Sequence, residues 1–231
     1  MHNFFCDELG KVGDEVFLSH AELKHLFKTL RAGKGDLIGL LDGKGNFAAA
    51  EIHEGKKLFI KSVTSHKTPE VKIHLYIAIP KRNKMDQLLR QCTEAGVWAI
   101  HPMICDYSVS VPDKVSSRWQ IILQEACKQS ENYFLPEITA PHSFTACLDE
   151  IEQKQMPAYY GAVTPESMLN NAPSGSSIAW LVGPEGGFSE KEIEMISEAN
   201  INPINLGPNI MRVETAAVCG IALLNFYYKG N

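Results

Sequence analysis

Hydrophobic and polar positions alternate in short runs over residues 1–66, with turn sequences between the runs. Four of these runs have the length and the β-branched or aromatic content of strands, namely Glu15–Leu18, Leu37–Leu41, Phe47–Ile52 and Leu58–Val63. The dipeptide Asp42-Gly43 is a typical hairpin turn between two of them. The pattern predicts a small β-barrel that is interrupted by one helix, from Ala21 to about Arg31.

A different pattern, in which apolar runs alternate with helical periodicity, begins after Pro69. Residues 66–71 are expected to link two domains, because proline suits neither a helix interior nor a central strand. The segments that follow predict strands at Val71–Ile79, Val97–Ile104 and Ala158–Ala162, and helices at Lys84–Glu94 and from Ser143 to about Lys154. Strands that alternate with helices predict a parallel α/β sheet. We therefore expect domains at residues 1–66 and 72–231.

The last third of the chain contains a glycine-rich turn directly after an apolar run. The run Ile178–Val182 predicts a short buried strand, and it ends in the sequence Gly-Pro-Glu-Gly-Gly at residues 183–187. Glycines in such a turn let the main chain approach a ligand closely. Ser189 and Glu192 have the spacing of a capping box, so we expect a helix to start near Glu190.

A second unit with the same order of elements comes next. A strand is expected at Ile201–Leu206, a turn at Gly207-Pro208 and a helix from about Glu214. Ligands of open α/β sheets bind outside the carboxyl ends of strands, so the two turns could line one crevice. Each turn taken alone is also compatible with an ordinary Gly-Pro turn that binds nothing.

The residues of the first turn indicate which ligands suit the crevice. A phosphate site needs converging N–H groups and a positive field, whereas Glu185 places a carboxylate inside the turn. The spacing of the glycines also differs from the dinucleotide fingerprint G-x-G-x-x-G. A cofactor that carries positive charge and an adenosine group, without phosphates, fits these residues better, and S-adenosylmethionine has this chemistry.

Residues 181–188 (LVGPEGGF) and 206–217 (LGPNIMRVETAA) resemble the paired motifs of the SPOUT class of RNA methyltransferases. The similarity is closest to the RsmE family, which methylates N3 of a uridine in small-subunit ribosomal RNA, and it extends through residues 77–103 and 25–45. It implies a SPOUT α/β domain with a trefoil knot near residues 178–225, around a mainly parallel sheet. It also implies that the N-terminal β-barrel is a PUA-like RNA-binding domain.

The resemblance assigns roles to residues of both turns. The implied contacts to S-adenosylmethionine are Leu181, Val182, Gly183, Pro184, Glu185, Gly186, Gly187, Leu206, Gly207, Ile210, Met211, Thr215 and Ala216. Methylation of uridine N3 requires loss of its proton, so Arg212 is expected to stabilise the charge on O2 and O4 or to bind an adjacent phosphate. Glu214 or Glu185 is expected to accept the proton. Arg212 and Glu214 could instead pair with neighbours or cap the helix.

Contacts to RNA are expected from two groups of cations. Lys28, Arg31 and Lys34 belong to the implied PUA-like domain, and Lys81, Arg82 and Lys84 stand where a helix begins. Cations are unfavourable at a helix N-terminus, which suggests a function in binding phosphate, although mobile solvated charges remain an alternative. Asn132, Asn209 and Val213 depart from the family pattern of arginine, arginine and threonine, respectively.

Composition restricts where and how the protein acts. The net charge of −5 and the pI near 5.9 do not suit a general nucleic-acid binder, so RNA contacts must be local. The six cysteines form no C-x-x-C pair and are expected to be reduced thiols, which favours the cytoplasm. We expect no metal site, because His20 and His25 do not share a helical face, and no membrane span or signal peptide.

The final helix, from Ala216 to about Tyr228, is apolar on nearly every side and must be covered by the core or by a partner. The family resemblance implies a homodimer with the crevices at its interface. Small-subunit ribosomal RNA or a ribosomal particle is the expected substrate. Methylation of another RNA base or of a ribose 2′-hydroxyl, a non-catalytic role in binding RNA or assembling ribosomes, and a nucleotide-dependent oxidoreductase remain as alternatives.

Overall fold

A computed structural model of the protein describes residues 1–80, 82–108, 115–163 and 177–229. The chain divides into two compact units. The first contains residues 1–68 and 124–135, and the second contains residues 69–123 and 136–231. The segment 124–135 therefore groups with the N-terminal residues, although the sequence had assigned it to the domain 72–231.

The N-terminal unit is built on a five-stranded sheet. Its strands are β1 (His2–Phe5), β2 (Glu15–Val16), β3 (Leu37–Leu41), β4 (Asn46–Ile52) and β5 (Leu58–Ser65), in the order β1-β3-β4-β5-β2. β1 pairs with β3 in parallel and the other pairs are antiparallel. Phe4, Leu40 and Ala50 are fully buried in its core. The four strands that the sequence predicted are present, whereas β1 was missed because its polar start hides the apolar pair.

The structure has a helical segment where the sequence predicted a helix from Ala21 to Arg31, but the segment is not one regular α-helix. It consists of α1 (His20–Lys24), which Ser19 caps by accepting a hydrogen bond from the Glu22 amide, and a π-helical turn at His25–Thr29. Leu26 of this turn is fully buried in the core of the unit. Arg31 ends the element in the left-handed region, with φ of 55°. A single 3₁₀ turn follows later, at Glu54–Lys56.

The segment 124–135 is attached to the N-terminal sheet by backbone hydrogen bonds and by packing. The amide of Gly45 donates to the Tyr133 carbonyl, and the amide of Leu135 donates to the Gly43 carbonyl, both over 2.9 Å. His66 stacks on the Tyr133 ring with centroids 3.7 Å apart. A Cβ at Gly45 would lie 2.6 Å from the Phe134 ring. Glycine is therefore required at this close approach.

The second unit contains a parallel sheet, as the sequence predicted. Its strands are β6 (Lys72–Ala78), β7 (Ala99–Ile104), β8 (Glu137–Ile138), β9 (His142–Ser143), β10 (Ala158–Gly161), β11 (Ser177–Val182) and β12 (Asn202–Ile204). Their order is β12-β10-β11-β6-β7-β8, and β9 also pairs with β7. The two-residue strands β8 and β9 were missed, because segments so short carry no periodicity.

Helices cover this sheet, and one of them extends into the first unit. They are α2 (Arg82–Glu94), α3 (Ser117–Ser130), α4 (Phe144–Gln153), α5 (Glu190–Glu198) and α6 (Val213–Lys229). Residues of α4 and α5 share one buried cluster with Ala179 and Leu181 of β11. α6 packs against α2, β6 and β11. The last seven residues of α3 belong to the first unit.

The packing of α6 on the sheet depends on Gly220. Side chains alternate along a strand, so Trp180 of β11 points away from the cluster that contains Ala179 and Leu181. Trp180 is fully buried, and a Cβ at Gly220 would overlap its indole ring. A larger residue at Gly220 would therefore push α6 away from the sheet.

All six cysteines are free and five of them are buried. Burial raises the pKa of the Cys127 and Cys147 thiols to about 12, so they remain protonated at neutral pH. No helix in the described parts of the chain has both the length and the apolar character needed to cross a bilayer.

Two buried histidine side chains, His74 and His101, lie under α4. The Nδ1 atom of His74 is 3.1 Å from Nε2 of His101, and the Tyr76 ring stacks on His101. Burial is the main cause that lowers the pKa of His74 to about 4, and it also lowers the pKa of His101. Charges of Glu150 and Lys154 act on both rings with opposite signs. The two histidines are therefore neutral in the folded protein near pH 7.

Low pH should lower the free energy of unfolding through protonation of His74 and His101. Between about pH 6.5 and about pH 4 the unfolded chain binds protons that the folded chain does not, so the free energy of unfolding should fall as pH falls. Each ring contributes a slope of up to about 1.4 kcal/mol per pH unit. Urea titrations across this window measure the effect. The variant His74→Gln should reduce the slope, whereas exposed His20→Gln should leave it unchanged; equal slopes in both variants would contradict the assignment.

Candidate active site

The first glycine turn leaves the sheet at the carboxyl end of β11, directly after Val182. The amide of Gly187 donates to the Pro184 carbonyl over 2.8 Å, which closes a tight turn. Gly187 has φ of +79°, a conformation that favours glycine, and nothing lies within 4 Å of the position of its absent Cβ. The main chain of this turn is therefore open to a ligand.

The predicted capping box holds the helix that follows the turn. The amide of Glu192 donates to the Ser189 hydroxyl over 3.2 Å, and the amide of Ser189 donates to the Glu192 carboxylate over 2.8 Å. The same carboxylate accepts the amide of Asp106, and the Ser189 hydroxyl donates to the Asp106 side chain. The end of the turn is thereby fixed to the loop after β7, a contact that the sequence did not indicate.

The second turn follows β12, which lies on the other side of β10 from β11. The amide of Gly207 donates to the Asn205 side-chain oxygen over 2.9 Å, an Asx turn that bends the chain after the strand. Gly207 has φ of +150°, outside the range that other residues usually adopt. The amide of Ala162 donates to the Ile204 carbonyl over 3.0 Å and so extends the contact between β10 and β12.

Both turns line one crevice of about 850 Å³, as the sequence suggested. Its wall is formed by Lys84, Tyr160, Gly161, Ala162, Val163, Val182, Gly183, Pro184, Glu185, Gly187, Phe188, Ile193, Ile204, Asn205, Leu206, Gly207, Asn209, Ile210, Met211, Arg212, Val213, Glu214 and Ala216. The volume is in the range of cofactor sites, and the lining combines apolar side chains with open main chain and few charges.

Ten of the thirteen residues expected to contact the cofactor line this crevice. The other three, Leu181, Gly186 and Thr215, do not. The Leu181 side chain is fully buried in the cluster beneath β11, and a Cβ at Gly186 would lie 3.5 Å from the Tyr107 side chain. Thr215 is exposed on the first turn of α6. Any contact of these three residues with a ligand in this crevice would need their main chain or a rearrangement.

Arg212 and Glu214, the expected catalytic residues, both line the crevice. Glu214 lies in the first turn of α6 with 7% of its surface exposed, and its Oε1 atom is 2.7 Å from Nζ of Lys84. The hydrogen bond from Lys84 is the main cause that lowers the pKa of Glu214, with smaller effects of its own amide and of Arg212. Glu214 is therefore an ionised carboxylate in this structure.

The cations expected to bind RNA differ in their exposure and in their ion pairs. Lys28, Arg31 and Lys34 are exposed in the N-terminal unit, where Lys34 forms a surface ion pair with Glu54 over 2.6 Å. Arg82 is the first residue of α2, and Lys81 lies outside the described residues. Lys84 is instead paired with Glu214 inside the crevice.

The three positions that depart from the family pattern also differ in their exposure and contacts. Asn132 accepts the amide of Phe134 over 3.1 Å and so shapes the loop in the N-terminal unit. Asn209 is exposed at the crevice, and Val213 is 5% exposed at the start of α6.

Several lining residues were missed by the sequence reasoning. Tyr160 and Val163 come from β10 and the residues after it, which neighbour both turns in space and neither in sequence. Asn205 carried a local signal, because an asparagine two residues before a glycine is typical of an Asx turn. The pairing of Lys84 with Glu214 had no such signal, since the two residues are 130 positions apart.

Comparison with known proteins agrees with this geometry. Residues 66–225 match the sequence profile of the RNA methyltransferase domain family, and residues 18–64 match that of the RNA methyltransferase PUA domain family. The small-subunit ribosomal RNA methyltransferase E of Aquifex aeolicus is 30% identical over 232 residues, covering 97% of this chain and 99% of its own. The enzyme of the same name from Synechocystis is 29% identical, over 91% of this chain and 72% of its own.

A solved structure gives the same result. The crystal structure of a ribosomal RNA small subunit methyltransferase E from Neisseria gonorrhoeae, bound to S-adenosylmethionine, superposes with a TM-score of 0.86 at 26% identity. The match covers 99% of this chain and 98% of that one. Two glycine turns that share a crevice at the carboxyl ends of parallel strands, together with these full-length matches, identify the chain as a member of the ribosomal RNA small subunit methyltransferase E family.

Proposed function

We propose that this protein transfers the methyl group of S-adenosylmethionine to N3 of a uridine in small-subunit ribosomal RNA. The observation that carries the proposal is the single crevice lined by both glycine turns, in a chain of this family. The family relationship supports the reaction and the RNA. The resemblance of both glycine turns to the RsmE family supports N3 of uridine as the acceptor.

The residues of the crevice fit S-adenosylmethionine. Ile210 and Met211 offer apolar surface for the adenine, and the open main chain at Gly187 offers polar groups for the ribose. Glu185 supplies a carboxylate for a cofactor that carries a sulfonium and an ammonium group. Bound S-adenosylmethionine supplies an electrophilic methyl group, and the two turns would orient it toward the acceptor.

Arg212 and Glu214 are the proposed catalytic residues. Within the described residues, Arg212 forms no salt bridge, so its exposed guanidinium is available to the uracil oxygens or a phosphate. Glu214 is the better candidate for accepting the N3 proton, because it is held inside the crevice while Glu185 is exposed on the turn.

The arrangement of the whole enzyme is also proposed. The helix α6 leaves Phe226 83% exposed, which supports a homodimer that covers this apolar face. The chain runs from the central strand β11 to the edge strand β12, and α6 then returns to pack on β11. This return supports a trefoil knot near residues 178–225. The free cysteines support a cytoplasmic location.

The proposed reaction can be tested directly. The purified protein should form N3-methyluridine in small-subunit ribosomal RNA or ribosomal particles that lack this modification, when S-adenosylmethionine is present. Mass spectrometry of the digested nucleosides identifies the product, and heat-treated protein is the control. A methyl group on a ribose hydroxyl or on another base would change the proposed acceptor, and no transfer to any RNA would reject the proposed reaction.

Arg212→Ala should lower the rate of methyl transfer at least about a hundredfold, because a charge that stabilises the transition state is lost. The affinity for S-adenosylmethionine should stay within about tenfold of the wild type. Single-turnover rates and calorimetric titration measure the two quantities. Arg90→Ala, which removes an exposed cation of α2, is the matched control. Equal turnover of the Arg212 variant and the wild type would remove the catalytic role of Arg212.

Replacing Arg31 and Lys34 together with alanine should weaken RNA binding and flatten its salt dependence. Two lost phosphate contacts reduce the slope of log K against log salt by about 1.5. Binding of a labelled small-subunit RNA fragment at several salt concentrations gives this slope. The control replaces Lys57 and Lys61, two cations of the same unit that pair with Glu15 and Glu51. If both double variants keep the wild-type slope, Arg31 and Lys34 are solvated surface charges.

A further inference from the structure

The ion pair between Lys84 and Glu214 joins two helices across the wall of the crevice. Lys84 is the third residue of α2 and Glu214 is the second residue of α6, and their charged atoms are 2.7 Å apart. Both side chains line the crevice, with 32% of Lys84 and 10% of Glu214 exposed. The pair therefore stands where a ligand in the crevice would reach it.

This pair differs from the surface ion pairs of the protein. Lys34 and Glu54 are 68% and 83% exposed, so water screens them and their pairing contributes little. In the Lys84 to Glu214 pair the carboxylate is largely removed from water and the ammonium is partly so, and opposite charges interact more strongly in such a setting. Its carboxylate is also well placed at a helix N-terminus, whereas the ammonium is not. Lys84 is thus held by Glu214, and it would gain from a second anion.

We propose that Lys84 is a positioning residue that holds Glu214 as a carboxylate at the crevice wall and releases it when an RNA phosphate binds the ammonium group. The inference rests on the proposed function, because Glu214 is the proton acceptor there. Lys84 then has two anionic partners in turn, Glu214 in the free protein and a phosphate in the complex.

The exchange would couple RNA binding to the basicity of Glu214. While Lys84 is paired with it, the pKa of Glu214 is lowered and the carboxylate is a weak base. When the ammonium moves to a phosphate, the pKa of Glu214 rises and the carboxylate accepts a proton more readily. Arg212 and the amide of Glu214 are the other groups that act on this carboxylate, and Glu185 lines the same crevice.

Proton transfer to Glu214 and methyl transfer to N3 then occur in one balanced step. The N3 proton of uracil passes to an oxygen of Glu214, and the N3 electron pair forms a bond to the methyl carbon. The bond between that carbon and sulfur breaks, and its electron pair remains on sulfur as a neutral thioether. Glu214 afterwards releases the proton to water. Lys84 touches neither N3 nor the methyl group, so its effect is through Glu214.

The free protein provides the first test, without cofactor or turnover. Carbon NMR of protein with labelled glutamate carboxylates follows the titration of Glu214, which Glu214→Gln assigns by loss of one signal. The pKa of Glu214 should be higher in Lys84→Met than in the wild type, and Lys84→Arg should restore the low value. Adding a short uridine-containing RNA should raise the pKa in the wild type and leave it unchanged in Lys84→Met. No change on adding RNA to the wild type would overturn the exchange.

Kinetics provide the second test. In Lys84→Met the acid limb of kcat/KM for RNA, which reports the free protein, should move to higher pH, so kcat/KM falls about tenfold further on the acid side than at high pH. The acid limb of the single-turnover rate at saturating RNA should keep its wild-type position, because the wild-type Lys84 then binds a phosphate. A merely structural defect would lower the rate equally at all pH values, and that outcome would also overturn the inference. Lys191→Met, which removes an exposed cation of α5, is the matched control and should keep the wild-type profile.

The two proposals can fail separately. A wild-type protein that transfers no methyl group to uridine N3 rejects the proposed function, while the NMR titration of the free protein still reports on the ion pair. A wild-type protein that is active, with an acid limb of kcat/KM that Lys84→Met does not shift, rejects the role of Lys84 alone. Thermal unfolding of each variant confirms that the compared proteins are folded.

Discussion

The close approach of α6 to the central strand β11 is the constraint on which the crevice depends. Gly220 allows the helix backbone to lie against the indole ring of Trp180, where a Cβ would overlap it. Because α6 begins at Val213, this contact also sets the position of the residues that precede the helix and form the second turn. A packing requirement in the core thereby brings the second turn to the wall that the first turn already forms.

The charges of the crevice follow from the same packing. α6 contacts α2, and this contact places Glu214 beside Lys84. The crevice is then lined by two carboxylates and two cations, of which Lys84 and Glu214 form an ion pair while Arg212 and Glu185 are exposed. A site of this kind suits a cofactor that carries both signs of charge and an acceptor that becomes negative during the reaction.

Much of the fold was predictable because its elements have strong local signals. The strand Leu37–Leu41 and the capping box at Ser189 were predicted from spacing alone, and the structure confirms them. The π-helical turn was not predictable, because residues 25–29 carry the same pattern of apolar and polar positions as a regular helix. Residues 124–135 group with the first unit because backbone bonds to Gly43 and Gly45 attach them to the first sheet, and no local pattern specifies these distant partners.

The sequence by itself determined the class of the fold, the two glycine turns and the family, because each depends on neighbouring residues or on motifs. It also placed Arg212 and Glu214 at the crevice, since they follow the second turn within a few positions. Only the tertiary structure decided that Lys84 faces Glu214 and that residues after β10 complete the wall. These contacts join positions far apart in the chain, and no local pattern specifies which distant side chains will meet.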